Sequence, residues 1–386
     1  MIPLDRTPLL TIGPDYCNKM RSGIIDRYNI AKGGMPIEIN PFTNTDFTLL
    51  WEDAVSGLLD HQLVDSLLSS PMDTVCSFYP QIDFYMKTCK LVFFGSLHID
   101  DELKKAGMPI TKPNRENHRR DFLILYDNPW IAEHKDRHPR FFQNNTLFRN
   151  FILDVKRDMT SLNQAISIIV DYNKFMDADY RHEILSRIGK EVCPYCNRQY
   201  ITQYDEVAVT KTTADLDHFH PNSAFKLFSL SLFNFVPSCQ ICNSRFKLAK
   251  CYDIVYPYDR GFDDSAWFKV QMNEKSTVDT ITGNNINFDL DLEFDPSSSH
   301  SVKIQNSMEL FKLAKVYQSH KEYVRELLYK KHAYAGTYQD EMQKLFTTMN
   351  LSEEQINLFL YGDKLLPDNL SMRPLAKLAY DVIKKA

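Results

Sequence analysis

The spacing of apolar residues changes character several times along this chain. Over the first 140 residues it is mixed: DFTLLWEDAVSGLL sets Phe47, Leu50, Trp51, Ala54 and Leu58 at helical spacing, whereas KLVFFGSL and DFLILY are short apolar runs of strand-favouring residues. Between those runs KPNRENHRRD, residues 112–121, reads as a polar, basic, solvated connection, with phosphate contact as its sharper alternative. From 141 to 190 the period becomes helical. Leu147, Phe148, Phe151, Ile152 and Val155 trace one face, and Ser161 with Gln164 has capping-box spacing ahead of AISIIV. A further helix carrying Ile184, Leu185 and Ile188 runs out at Gly189.

After residue 260 strands come first. WFKVQM is one, and in NINFDLDLEF the residues Ile286, Phe288, Leu290, Leu292 and Phe294 alternate strictly; TGNN before it suits a hairpin turn and DPSSSHS after it a loop. Asn306 with Glu309 then opens a long helix predicted to bury Leu310, Leu313, Ala314, Tyr317, Val324, Leu327 and Leu328, and Ser352 with Gln355 marks a second start. His134 and His138 stand four apart in EHKDRHPR, but no helix signal supports a metal pair there and the stretch reads as loop. These patterns predict an α+β chain. Its parts are a mixed region of unknown role over 1–140, a helical lead-in with a cysteine-bearing core over 141–260, and strands followed by helices over 261–386.

Composition narrows the class. With 44% apolar residues the chain can bury a real core, which excludes a disordered protein. The start, MIPLDRTPLLTIG, lacks the charged and apolar regions of a signal peptide, and no apolar run reaches the ~18 residues of a membrane span. A cytoplasmic protein without membrane contact is the expectation. Eight cysteines in such a chain point to metal or reactivity rather than to a disulfide framework. Cys17, Cys76, Cys89 and Cys251 are scattered and read as inert buried thiols.

The other four form two tight pairs, and the first, in EVCPYCNRQY, poses a choice. Cys193-Pro-Tyr-Cys196 is either a redox dithiol, which needs a helix N-terminus to lower a thiol pKa, or half of a zinc site. The residues that follow, NRQYITQYDEVAVT, are aromatic and β-branched and predict an extended hairpin instead of that helix. Cys239 and Cys242 repeat the spacing 43 residues after Cys196, which makes a four-thiolate structural Zn²⁺ site the favoured reading. Net charge is −5, yet Arg181–Lys250 carries nine Lys/Arg against six Asp/Glu, so this stretch is about +3 and the remainder about −8, a balance compatible with phosphate contacts.

The segment between and after the pairs, TADLDHFHPNSAFKLFSLSLFNFVPSCQICNSRFKLAK, resembles the HNH endonucleases, the ββα-metal nucleases, in the version clamped by a four-cysteine zinc. The resemblance rests on Asp217-His218, Pro221, FNFVPSC, and a Cys-x-x-Cys followed by Asn and Lys, and it covers residues 190–250. It implies metal-dependent hydrolysis of phosphodiester bonds in DNA. His218 would be the general base, Asn234 would orient or brace it, and Asp217 with Asn243 would hold one divalent ion. Asp and Asn offer hard oxygens, so that ion would be Mg²⁺ or Mn²⁺. Asn243 stands where many members carry a histidine, which weakens any case for a catalytic zinc.

Around these residues the choices stay open. Asp215 shares the strand face of Asp217 and is either a supporting carboxylate or a solvated charge; His220 lies two residues past His218, and spacing alone does not say which imidazole is the base. Joint use of Asp217 and His218 requires the strand to bend, with Pro221 marking the irregularity. Arg198, Arg245, Lys247 and Lys250 are candidates for phosphate contacts. More loosely, YPYDRGFDD and VYQSHKEYVRELLYKKHAYA resemble the HNH subunit of Septu-type and retron-linked antiphage systems, which implies an ATPase subunit as partner. The competing reading is a zinc-stabilised nucleic-acid-binding module without catalysis, which would have no need of Asp217, His218 and Asn243 together.

Overall fold

The computed structural model describes residues 1–34, 50–53, 55–94, 99, 103, 106–125, 135–136, 139–206, 209–335 and 337–385. Among the described residues helices dominate and the strands form three two-stranded antiparallel sheets, so the chain is α+β. Most buried apolar residues, from Met1 to Val382, belong to one cluster that draws on all three segments of the sequence, and Ile2, Leu370 and Ala376 form a small second one. Among the described residues no helix is long and apolar enough to cross a membrane.

The N-terminal region is helical where the sequence reading was mixed. Thr7–Gly34 is one helix, and Leu9, Ile12, Tyr16, Met20, Ile24, Tyr28 and Ala31 are buried at intervals of three and four, a single stripe. The helix expected around Trp51 is instead a turn. The Asp53 carboxylate accepts from the amides of Val55 (3.1 Å) and Ser56 (2.7 Å), and a Glu52–Leu59 bridge closes it. Phe47 and Ala54 lie outside the described residues, as do His134 and His138. KLVFF is not a strand: Lys90–Phe94 continues the helix Pro80–Cys89 as a π-helical turn that buries Leu91 and Val92, so tertiary burial overrides strand propensity. The basic loop and the strand DFLIL are together one helix, Lys112–Leu125. Thr111 Oγ1 accepts from the Asn114 amide (3.3 Å) at its start, and Pro113 in the first turn donates no missing bond.

The helical lead-in is Asn145–Ile169, capped by Asn144, with Phe148, Phe151, Ile152 and Val155 buried as expected and Leu147 exposed. Ser161 and Gln164 start no new helix, because no glycine or proline interrupts this one. Ala178–Ile188 ends at Gly189 in the left-handed conformation, as the pattern predicted.

Near the C-terminus, β5 (Ala266–Met272) pairs with β6 (Phe288–Phe294), whose Phe288, Leu290 and Leu292 are buried; Ile286 precedes the strand and is exposed. The connection is longer than a tight turn. It runs through the short helix Val278–Ile281 to Gly283, where φ is +74° and a Cβ would lie 2.2 Å from the Tyr329 amide nitrogen. The long helix predicted from Asn306 is broken: Ser301–Leu310 stops, Lys312 turns left-handed (φ 53°), and Leu313–Val316, Tyr317–His320 and Lys321–Ala333 follow. Its stripe is still buried, on several short pieces. Glu353–Tyr361 carries both halves of the Ser352/Gln355 capping box. The last helix, Ala376–Lys384, covers the edge of β5 with a buried ion pair: Lys377 Nζ donates to Asp381 (2.7 Å) and to the Ala266 carbonyl (2.9 Å), and Asp381 Oδ2 accepts from the Phe268 amide (2.9 Å).

Candidate active site and metal centre

Cys193, Cys196, Cys239 and Cys242 converge. Their sulfurs all lie within 4.8 Å of one another and all four are buried. A tetrahedron of thiolates with Zn–S bonds near 2.3 Å has edges of about 3.8 Å, and the Cys196–Cys239 separation is 4.0 Å, so the quartet fits a zinc ion. Hydrogen bonds from the neighbouring sulfurs lower the Cys196 and Cys239 thiols, while burial raises Cys193 and the same neighbours raise Cys242. Four thiolates in one buried site need a cation to ionise together. Cys193–Cys196 sits in a turn that opens no helix of its own and is followed by the hairpin β1 (Gln203–Glu206) and β2 (Val209–Thr212) that the sequence predicted. That environment is not the one that activates a redox dithiol.

Two strands and a helical turn stand beside the quartet. β3 (Asp215–His218) pairs antiparallel with β4 (Phe235–Ser238), in the register Asp215–Ser238, Asp217–Val236 and His218–Phe235. The chain then passes through Cys239 into the π-helical turn Cys242–Lys247. Residues two apart on β3 meet residues four apart on this turn, which gives two polar rungs. Asn243 Nδ2 donates to Asp215 Oδ2 (3.0 Å), and Lys247 Nζ donates to Asp217 Oδ1 (2.9 Å). The second rung is buried, with Lys247 1% and Asp217 3% exposed. Tyr195, inside the first cysteine pair, donates to Asp217 Oδ2 (2.7 Å), so both carboxylate oxygens are engaged. Asp217 and Asn243, expected to share a divalent ion, instead bond to different partners on neighbouring rungs. The partly exposed oxygen-bearing pair is Asp215 with Asn243.

The bend expected between Asp217 and His218 is also absent, since the strand register stays regular through His218 and Pro221 lies beyond it. Alternation then turns His218 to the face opposite Asp217. There its ring meets Tyr172 and Phe235 edge-on, with centroids 4.7 and 5.2 Å away, and Nε2 lies 3.0 Å from the Ser229 carbonyl oxygen. A carbonyl only accepts, so Nε2 carries the proton and Nδ1 is the acceptor. Burial pushes the imidazole pKa down to about 4, against the opposing pull of that carbonyl, and the ring is neutral at physiological pH.

Asn234 does not touch the His218 ring. Fully buried, it accepts from the His220 amide (2.8 Å) and donates to the carbonyls of His220 (3.0 Å) and Phe228 (3.0 Å). It thereby fixes the loop whose next residue, Ser229, holds His218. His220 itself points into the core against Phe219 and Phe225, with Cys251 Sγ 3.8 Å from Nδ1, and burial drives its pKa well down. It is a core histidine.

The proposed phosphate ligands separate in the same way. Arg245 is exposed and Lys250 half-buried, whereas Lys247 is consumed by Asp217. Arg198 donates through Nε to His320 Nε2 (3.0 Å) and lies over the Tyr317 ring, which ties the first knuckle to the C-terminal helices. Several residues that hold the site carry no signature in sequence. Tyr16 donates to the Leu230 carbonyl (2.7 Å), Asn163 Nδ2 to the Ala224 carbonyl (2.8 Å), and Tyr85 accepts from the Leu227 amide (3.3 Å). The N-terminal helices thus buttress the loop behind His218.

No protein-family model, curated protein or solved structure matches the chain.

Proposed function

We propose that the chain is a metal-dependent endonuclease of HNH type that hydrolyses phosphodiester bonds in DNA, with His218 as general base. The observation that carries this reading is the state of that imidazole: neutral, with Nε2 committed to the Ser229 carbonyl and Nδ1 left as the acceptor. Nδ1 takes a proton from a water molecule, and the water oxygen attacks the scissile phosphorus. The bond from phosphorus to the 3′-oxygen breaks, and solvent protonates the departing oxygen. A divalent ion would supply positive charge at that oxygen; the resemblance gives it to Asp217 with Asn243, whereas Asp215 with Asn243 are the partly exposed groups, and both carboxylates lie on the strand face opposite the His218 ring.

The zinc quartet stands outside the chemistry and clamps the strands to the helical turn. The DNA substrate is proposed from the resemblance and the local excess of basic residues. The ATPase partner and the antiphage role are proposed from the looser resemblance alone, and recovery of the native protein as a lone, fully active species would overturn them. Plasmid cleavage by wild type and His218→Ala, with Mg²⁺ and with Mn²⁺ and with bound zinc measured in both, tests the catalytic reading. Cutting that needs the divalent ion and falls by about 10²–10⁴-fold in the variant, at unchanged zinc, is expected. Zinc-loaded wild type that binds DNA but never cuts it would leave the binding module.

A further inference from the structure

The position of Lys247 departs from what the resemblance implies for Asp217. A carboxylate that is to ligate a divalent ion needs a path to solvent and no cation already seated on it. Asp217 meets neither condition: it is 3% exposed, with Lys247 Nζ at 2.9 Å on one oxygen and the Tyr195 hydroxyl at 2.7 Å on the other. The lysine is as deeply buried as its partner, and its ammonium makes a second bond, 2.6 Å, to the main-chain carbonyl of His218. The chain of contacts runs from Tyr195 through Asp217 to Lys247 and ends on the backbone of the proposed base.

Both ends of this chain start at zinc ligands. Tyr195 lies between Cys193 and Cys196, its ring stacked on Phe311 (4.7 Å), and Lys247 closes the turn that begins at Cys242. We infer that Tyr195 and Lys247 are positioning residues that lock the His218 main chain to the two zinc knuckles. In this arrangement Asp217 is their shared acceptor, with the Lys247 ammonium as its permanent cation, and is not a ligand of the divalent ion. A buried charge pair serves here because its geometry is fixed from both sides and the ammonium has a second acceptor in the His218 carbonyl. The rate consequence rests on the nuclease reading, whereas the assignment of Asp217 does not.

The test uses the full zinc-loaded chain as wild type, Tyr195→Phe, Lys247→Met and Asp217→Asn. Thermal midpoints are measured in buffer freed of Mg²⁺ and Mn²⁺ and again with Mn²⁺ added, alongside zinc content and the kcat and KM of plasmid cleavage. Without divalent ion, Asp217→Asn and Lys247→Met are expected to melt several degrees below wild type, and Mn²⁺ is expected not to restore either. Tyr195→Phe keeps the stacked ring and the zinc; its kcat is expected to fall at least about tenfold with KM unchanged, since a small misplacement of a reacting group costs rate before binding.

Two results would overturn the assignment. One is an Asp217→Asn protein as stable as wild type without divalent ion that no longer gains stability from Mn²⁺. The other is a Lys247→Met protein rescued by Mn²⁺ at the vacated carboxylate. Wild-type kcat in Tyr195→Phe would overturn the positioning role. If the wild type itself cuts nothing, the nuclease reading fails, and the melting experiments still decide the role of Asp217.

Discussion

Asn234→Ala tests how the site is held. The side chain makes three hydrogen bonds in a fully buried position, and its removal leaves the His220 amide and carbonyl without partners and takes one of two donors from the Phe228 carbonyl, which also accepts from the Ser231 amide (3.2 Å). Each orphaned group costs about 1–3 kcal/mol, less where water enters the vacated space, so a loss of about 3–5 kcal/mol is expected. Unfolding entropy near 2.1 cal/mol/K per residue, taken over 386 residues, is about 0.8 kcal/mol/K and converts that loss into a melting shift of about 4–6 °C. The effect on rate is larger in proportion. Phe228 is one peptide from the Ser229 carbonyl that sets the His218 ring, and a displacement near 1 Å there costs about 10²-fold. Asn234→Asp is the informative control. It keeps the acceptor for the His220 amide but sets an oxygen against two carbonyls, and should be no better than alanine. Calorimetry and plasmid cleavage on the three proteins measure both effects. An Asn234→Ala protein within about 1 °C of wild type, or an Asn234→Asp protein that melts like wild type, would refute the bracing argument.

Other outcomes follow from the same geometry. Stripping the zinc with a chelator should unfold residues 190–250 cooperatively, since structural zinc contributes about 10–16 kcal/mol of apparent folding free energy, and amide hydrogen exchange would show it. His220 is buried neutral with its pKa driven well down, so the unfolded chain binds a proton that the folded one does not. Stability conferred by its neutral form is complete above pH ~6.5 and falls on acidification, by up to about 1.4 kcal/mol per pH unit; His220→Phe should remove this share of the slope from urea titrations at pH 5–6.5 and leave the like share of His218. Asp381→Asn strands the Lys377 ammonium, 3% exposed, and should cost about 3–5 kcal/mol; a cost below about 1 kcal/mol in denaturant titration would show that the pair is not what docks the last helix.

The sequence was legible where a local pattern carries its own meaning. Paired cysteines, the Ser352/Gln355 capping box and the alternation from Phe288 to Leu292 encode their geometry within a few residues. KLVFF misled because strand propensity is a weak local term and the preceding helix, already packed, carried the chain onward. The stripe from Leu9 to Ala31 was readable by its spacing, though Gly13 and Pro14 within it mimic a break. Contacts across long separations left no such trace. Arg198 looks like any surface cation until His320, 122 residues on, is seen against it, and Lys247 looks like a phosphate ligand until it is found buried on Asp217.

Those distant contacts converge on one short stretch, and this changes what the first zinc knuckle does. The Pro194 carbonyl accepts from the Ile2 amide (2.9 Å), and the Cys196 carbonyl from the Tyr317 hydroxyl (2.6 Å). Asn197, in the left-handed conformation (φ 50°), donates through Nδ2 to the Leu370 carbonyl (2.9 Å) and accepts from the amides of Leu375 and Lys377 (2.6 and 3.1 Å). Tyr195 between them reaches Asp217. Each of these bonds closes a loop of more than a hundred residues except the last, and such closures are favourable only if the acceptor groups are already fixed. A metal ion on the four cysteines would fix them, because four ligands would hold a turn that has no helix or sheet of its own. It follows that metal loss should free the first residues and the 370–377 segment along with the site, whereas a defect in the last helix should leave the zinc in place.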